Sequence, residues 1–155
     1  ARRPTPPPPP TADPEAPPPV RQPVSRSHLN NLLVVEDNPL NQRVAKALLC
    51  KVLPNATVEI ASSAAIALDL VRRRQFDLVF MDNMMPSMNG DECIVCMRKL
   101  AEEEPDLAWL AKVPIVGFTA SASDECRDLM MGAGATHFLT KPVRLDDIQR
   151  LIADL

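Results

Sequence analysis

From residue 29 onward the chain alternates short apolar runs with longer stretches of helical period. Residues 32–35 (LLVV) form a run too short for a helix, bounded by polar residues, and read as a strand buried on both faces. Asn38-Pro39 then supplies an N-cap and a first-turn proline. The helix that follows is predicted to bury Val44, Ala47, Leu48 and Leu49 before Pro54 breaks it. Residues 57–60 predict a second strand. Ser62 and Ser63 open a helix carrying Ile66, Leu68, Leu70 and Val71 as far as the arginines at 72–74. Residues 77–81 predict the third strand and residues 91–103 a third helix. Residues 115–118 predict the fourth strand, and a helix over 123–131 is expected to stop at Gly132. Residues 136–139 form a fifth strand and 146–155 a closing helix. Five strands, each followed by a helix, predict an α/β, doubly wound, five-stranded parallel sheet with five helices.

Upstream the pattern disappears. Eleven of the 17 prolines fall in residues 1–23, including the run Pro6 to Pro10. Such a segment donates few hydrogen bonds and has little to bury, so residues 1–28 are expected to be a disordered, extended proline-rich linker and 29–155 the folded domain. A groove ligand for an SH3-like domain is the less favoured use of the segment. A start at Ala1 suggests a piece of a longer protein.

Composition narrows the function. Hydrophobic residues make up 46% of the chain, enough for a core, and the net charge of −3 provides no basic footprint for nucleic acid. No apolar run is long enough to span a membrane, and no secretory signal is legible. Cys93 and Cys96 spell C-x-x-C, but without a second ligand pair, and the motif falls inside a helix. They read as small apolar residues in a reduced, cytoplasmic protein. No glycine-rich dinucleotide loop or P-loop occurs.

In an open α/β sheet the working residues lie just beyond the carboxyl ends of the strands. Those positions hold Glu36 and Asp37 after the first strand, Asp82 after the third, Thr119 after the fourth and Lys141 after the fifth. Clustered carboxylates repel unless a cation sits among them, and Mg²⁺ suits an all-oxygen site. A carboxylate so held has the chemistry of a nucleophile toward a phosphoryl group, with an amine and a hydroxyl to stabilise the transferred charge.

The segments LLVVEDNPLN (32–41), FDLVFMDNMMPSMNG (76–90), PIVGFTA (114–120) and FLTKPV (138–143) resemble response-regulator receiver domains, most like the C-terminal receiver of a hybrid histidine kinase. The resemblance covers residues 29–155 and implies the flavodoxin-like strand order 2-1-3-4-5. It implies Asp82 as phosphoacceptor and Asp37 as a direct Mg²⁺ ligand, with Glu36 acting mostly through water and Met84 through its backbone carbonyl. Thr119 would be the switch hydroxyl, Lys141 the partner of Asp82, and Phe138 the aromatic whose rotamer follows the switch. Pro142 would follow a cis peptide bond. The implied partners are a histidine kinase or a histidine phosphotransfer protein, with dimerisation on phosphorylation possible in this family. The implied output surface spans the fourth helix, fifth strand and fifth helix. Such a domain catalyses only its own modification and turns over no independent substrate, although the parent chain would be a kinase. Several features depart from the family's pattern. Phe138 stands where tyrosine is common, Ser62-Ser63 replaces a glycine-containing turn, and the 101–112 connection is long, with Trp109 expected to pack on the body. A haloacid-dehalogenase-like phosphatase is disfavoured because the first strand ends in Glu36-Asp37-Asn38 rather than D-x-D. A pseudo-receiver is disfavoured because acceptor, acid pair and lysine are all present.

Overall fold

The computed structural model describes residues 3–4, 28–121 and 123–155; the expected linker over 1–28 lies almost wholly outside them. Its elements run β1 (Asn31–Val35), α1 (Pro39–Val52), β2 (Thr57–Ala61), α2 (Ala64–Arg73), β3 (Leu78–Asp82), α3 (Gly90–Glu103), a 3-10 helix (Pro105–Ala111), β4 (Ile115–Thr119), α4 (Asp124–Ala133), β5 (His137–Thr140) and α5 (Leu145–Asp154). All neighbouring strands pair in parallel in the order β2-β1-β3-β4-β5, as expected. Alternate residues of the central strands feed two cores. Leu33, Val35, Val79, Met81 and Ile115 face α2, α3 and α4. Leu32, Val34, Leu78, Phe80, Val116 and Phe118 face α1 and α5. Period-two side chains covered on both sides explain why these strands read as unbroken apolar runs.

One helix face differs from expectation, and a second is settled only by packing. In α1 the buried residues are Ala45, Leu49 and Val52, while Val44 is 46% exposed and Ala47 is also exposed. Positions 45, 49 and 52 form one stripe, and docking on the sheet selects it over the neighbouring apolar stripe that starts at Leu40 and Val44. In α2 the buried stripe is Ala64, Ala67 and Val71, with Leu68 and Leu70 partly buried and Ile66 exposed. Small residues there bring α2 close to the sheet.

Helix α4 runs through Gly132 and ends at Ala133, two residues later than expected. The stop is Gly134, which adopts φ 120 and donates its N–H back to Met130 and Met131 carbonyls. A left-handed backbone there favours glycine, whereas Gly132 takes an ordinary helical geometry.

The long 101–112 connection is ordered. Its 3-10 helix starts on Pro105 and buries Leu107 and Leu110. Trp109 packs on the core as expected, its ring centroid 6.4 Å from that of Phe76. Arg98 of α3 braces this segment, donating to the carbonyls of Leu110 at 2.6 Å, Val113 at 3.0 Å and Gly134 at 2.7 Å.

Candidate functional site

The parallel topology brings the carboxyl ends of β1, β3, β4 and β5 to one edge, and the side chains there form a single cluster. Glu36 is fully buried. Its Oε1 accepts from Asn38 N at 3.2 Å, and its backbone carbonyl accepts from Gln42 Nε2 at 2.7 Å, so α1 holds the turn that carries Asp37. Asp37 is half-buried beside it. Carboxylate oxygens of Glu36, Asp37 and Asp82 lie within 4.8 Å of one another. That spacing fits a hard divalent cation held by oxygen ligands.

Lys141 ties the acids together. Its Nζ donates to Glu36 Oε2 at 2.5 Å and stands 3.4 Å from Asp82 Oδ1. The ammonium also lies 4.6 Å from the centroid of the Phe118 ring, a cation–π distance. Lysine and Asp82 are therefore neighbours as expected, but the shorter bond goes to Glu36. The Lys141 backbone N–H donates to the Thr119 carbonyl at 2.8 Å, locking the ends of β4 and β5. The Lys141–Pro142 peptide is cis, as expected.

Burial pushes the Asp82 carboxyl up from 3.8 to about 6; the Glu36 charge adds to the rise and Lys141 opposes it. A carboxylate disfavoured in this way is stabilised by any cation that enters the cluster. Thr119 is buried, and its Oγ1 accepts from Ser121 N at 3.3 Å. Met84 lies in the loop after β3 with its side chain 73% exposed. Phe138 is half-buried against Gly117: a Cβ on that glycine would stand 2.9 Å from Phe138 Cδ2 and 3.1 Å from Met130 Sδ.

Some contributors are not legible in the sequence pattern. A Cβ on Gly90 would meet the Asp82 carbonyl oxygen at 2.0 Å, so only glycine lets α3 start this close to the acceptor strand. The signal was available in the Asn89-Gly90 pair, but the pattern alone marks a turn, not a close approach. Gln42 and Asn83 carry no such signal. Cys93, by contrast, is fully buried, and burial, then the neighbouring Cys96, pushes its thiol up to about 12, so Cys93 offers no thiolate for redox or metal chemistry at neutral pH.

Residues 32–153 match the family model of the response regulator receiver domain. The chain belongs to that family. Hybrid signal transduction histidine kinase K of Dictyostelium discoideum is 32% identical over 124 residues, which cover 78% of this chain and 10% of the kinase. Response regulator mcs4 of Schizosaccharomyces pombe is 31% identical over 143 residues, covering 80% of this chain and 27% of that protein. The chain thus spans a small part of each of these relatives. Among solved structures, the receiver domain of sensor histidine kinase PA1611 from Pseudomonas aeruginosa PAO1, with a magnesium ion in its active-site cleft, superposes with a TM-score of 0.69. It is 28% identical, covering 81% of this chain and 95% of that one. The receiver domain of Saccharomyces cerevisiae Ssk1, solved in complex with the histidine phosphotransfer protein Ypd1, gives a TM-score of 0.70. It is 27% identical, covering 81% of this chain and 87% of that one. This receiver is one of a two-component system, with hybrid histidine kinases among its relatives. Among the described residues no helix is long and apolar enough to cross a membrane.

Proposed function

We propose that Asp82 is the phosphoacceptor of a phosphorelay receiver, taking a phosphoryl group from a phosphohistidine on a histidine kinase or histidine phosphotransfer protein. The observation that carries this reading is the buried cluster itself, in which the Asp82 carboxylate is flanked by Glu36, Asp37 and Lys141. A carboxylate oxygen of Asp82 attacks phosphorus, the N–P bond breaks, and the imidazole leaves with its electron pair. Asp37, Asp82 and the Met84 backbone carbonyl would hold Mg²⁺, with Glu36 contributing through water. The cation supplies charge neutralisation at the transferring group. Lys141 Nζ then leaves Asp82 for a phosphoryl oxygen, and the Thr119 hydroxyl turns from its loop to donate to another. The acyl phosphate carries about −1.5 to −2 charge, which draws both donors inward. Phe138 changes rotamer as Thr119 moves, and the face made by α4, β5 and α5 reports the change, by partner exchange or by dimerisation.

The donor's place is supported by α1. Leu40 is 67% and Val44 46% exposed, and they line an apolar groove with Pro142 and Val143 that ends at Lys141. The same helix carries Arg43, Lys46 and Lys51 and no acidic residue. Such a face suits an apolar helix with an acidic border, which would present its phosphohistidine over Asp82. The domain acts in the cytoplasm as part of a hybrid sensor kinase.

Intact-mass measurement after incubation with acetyl phosphate, with and without Mg²⁺, tests the assignment. The expected result is a Mg²⁺-dependent, alkali-labile gain of a single phosphoryl group that disappears in Asp82→Asn. Undiminished labelling of that variant would move the acceptor elsewhere.

A further inference from the structure

The residue that follows the acceptor joins three elements. Asn83 is 8% exposed, a depth at which both ends of a side-chain amide need partners. Its backbone carbonyl accepts from Gly90 N at 2.7 Å, and its Oδ1 accepts from Asp91 N at 3.3 Å, both at the start of α3. Its Nδ2 donates to Cys126 Sγ at 3.4 Å, in the first turn of α4. The amide orientation is set by this network, because the flipped form would face one N–H with another. Cys126 N in turn donates to Oγ of Ser123, the N-cap of α4, which lies four residues after Thr119.

Thr119 and Ser123 are therefore each fastened to a neighbouring element. At one, Thr119 Oγ1 accepts from Ser121 N; at the other, α4 is tied to the acceptor strand through Cys126 and Asn83. A Thr119 hydroxyl that turns toward a group on Asp82 gives up the Ser121 N–H, and Ser121 is itself joined to the N-cap of α4 by the 3.1 Å bond from its Oγ to Ser123 Oγ. We infer that Asn83 is a positioning residue: through Cys126 it tethers the start of α4 to the acceptor strand and opposes closure of the Thr119 loop over a modified Asp82. The inference rests on the phosphoacceptor reading above. A thiol sulfur is a weak acceptor, so the tether is slight enough for a phosphoryl group to overcome. Neither Asn83 nor Cys126 is among the cation's proposed ligands, so the tether acts on the switch and not on metal binding.

The test follows Cys126 alkylation by iodoacetamide in the whole chain, read by peptide mass with the exposed Cys50 as internal reference, alongside beryllofluoride affinity in Mg²⁺. In the unmodified protein with Mg²⁺ alone Cys126 should react slowly, and beryllofluoride should speed it about two- to threefold, the factor a hydrogen bond at the weak end of the net range represents. Asn83→Ala should give the fast rate without beryllofluoride. Cys126→Val should bind beryllofluoride about two- to threefold more tightly, whereas Cys126→Ser, whose hydroxyl still accepts the Asn83 N–H, should bind as the unmodified chain does. Mg²⁺ affinity should be the same throughout. Equal beryllofluoride affinity in Cys126→Ser and Cys126→Val, or slow Cys126 alkylation in Asn83→Ala, overturns the tether while leaving Asp82 as acceptor. If Asn83→Ala does not fold, the two Cys126 variants decide. An unmodified chain that takes up neither phosphoryl nor beryllofluoride removes the phosphoacceptor reading, and the tether's role with it.

Discussion

Asp82 and Lys141 hold opposed positions in one electrostatic cluster, and each makes a separable prediction. Because the folded chain holds the Asp82 carboxyl near 6 against 3.8 unfolded, folding takes up a proton between those values. The stabilising contribution of the protonated form is complete below pH 3.8 and is lost as pH rises through about 6. Above that, the charged carboxylate opposes folding by a few kcal/mol, on the order of the shift itself. Without Mg²⁺, Asp82→Asn should therefore be more stable than the parent at pH 7.5, and the gain should vanish near pH 4; urea denaturation at the two pH values measures it, and a gain independent of pH would contradict the assignment. Lys141 neutralises Glu36, which is fully buried. Lys141→Ala should lose about 3 kcal/mol because an unpaired buried carboxylate remains. Adding Mg²⁺ should recover part of that loss, since cation and lysine serve the same acids, and Mg²⁺ affinity should persist while phosphoryl labelling slows. Denaturation with and without Mg²⁺ separates this from a simple packing defect, which the metal would not repair.

At the scale of elements, the 3-10 helix and the turn after α4 depend on one arginine. Arg98 is partly buried, and desolvation holds its guanidinium below the usual range. That penalty is offset by carbonyls of Leu110, Val113 and Gly134, acceptors from the 3-10 helix and the segments leading to β4 and β5. Arg98→Ala should destabilise the chain by about 3 kcal/mol, roughly 1 kcal/mol for each acceptor left unserved. Arg98→Lys should recover less than half of it, since a single ammonium cannot span the planar fork. The denaturation midpoint checks both, and full rescue by lysine would show that charge alone matters.

For the molecule as a whole, the site and the fold are linked through ligand binding. The acidic cluster forms only when β1 and β3 are paired, so a ligand of that cluster binds the folded chain and not the unfolded one. Mg²⁺ at a hundred times its dissociation constant should stabilise by about 2.7 kcal/mol. Beryllofluoride with Mg²⁺ should add to that, and beryllofluoride alone should not. Asp37→Ala should abolish both increments. Thermal melting with each combination measures this, and a Mg²⁺ increment that survives Asp37→Ala would place the cation outside the cluster.

Much of this was legible in one dimension. The strand runs at 32–35, 77–81 and 115–118, the caps at Asn38 and Ser63 and the breaks around them follow from local period and turn chemistry, which neighbouring residues decide. Because a doubly wound parallel sheet sends every strand's carboxyl end to the same edge, Glu36, Asp37, Asp82, Thr119 and Lys141 could be grouped before any distance was known. Tertiary structure decided what local pattern leaves degenerate. Helix α1 offers two apolar stripes, and only docking on the sheet selects Ala45, Leu49 and Val52 over the stripe that leaves Val44 in the groove. Gly132 and Gly134 are equivalent as stop signals until the backbone takes φ 120 at the second. Lys141 reaches Glu36 across 105 residues of chain, and Asn83 reaches Cys126 across 43. Such pairings depend on how separately formed segments settle against one another, and no periodicity within either segment records that.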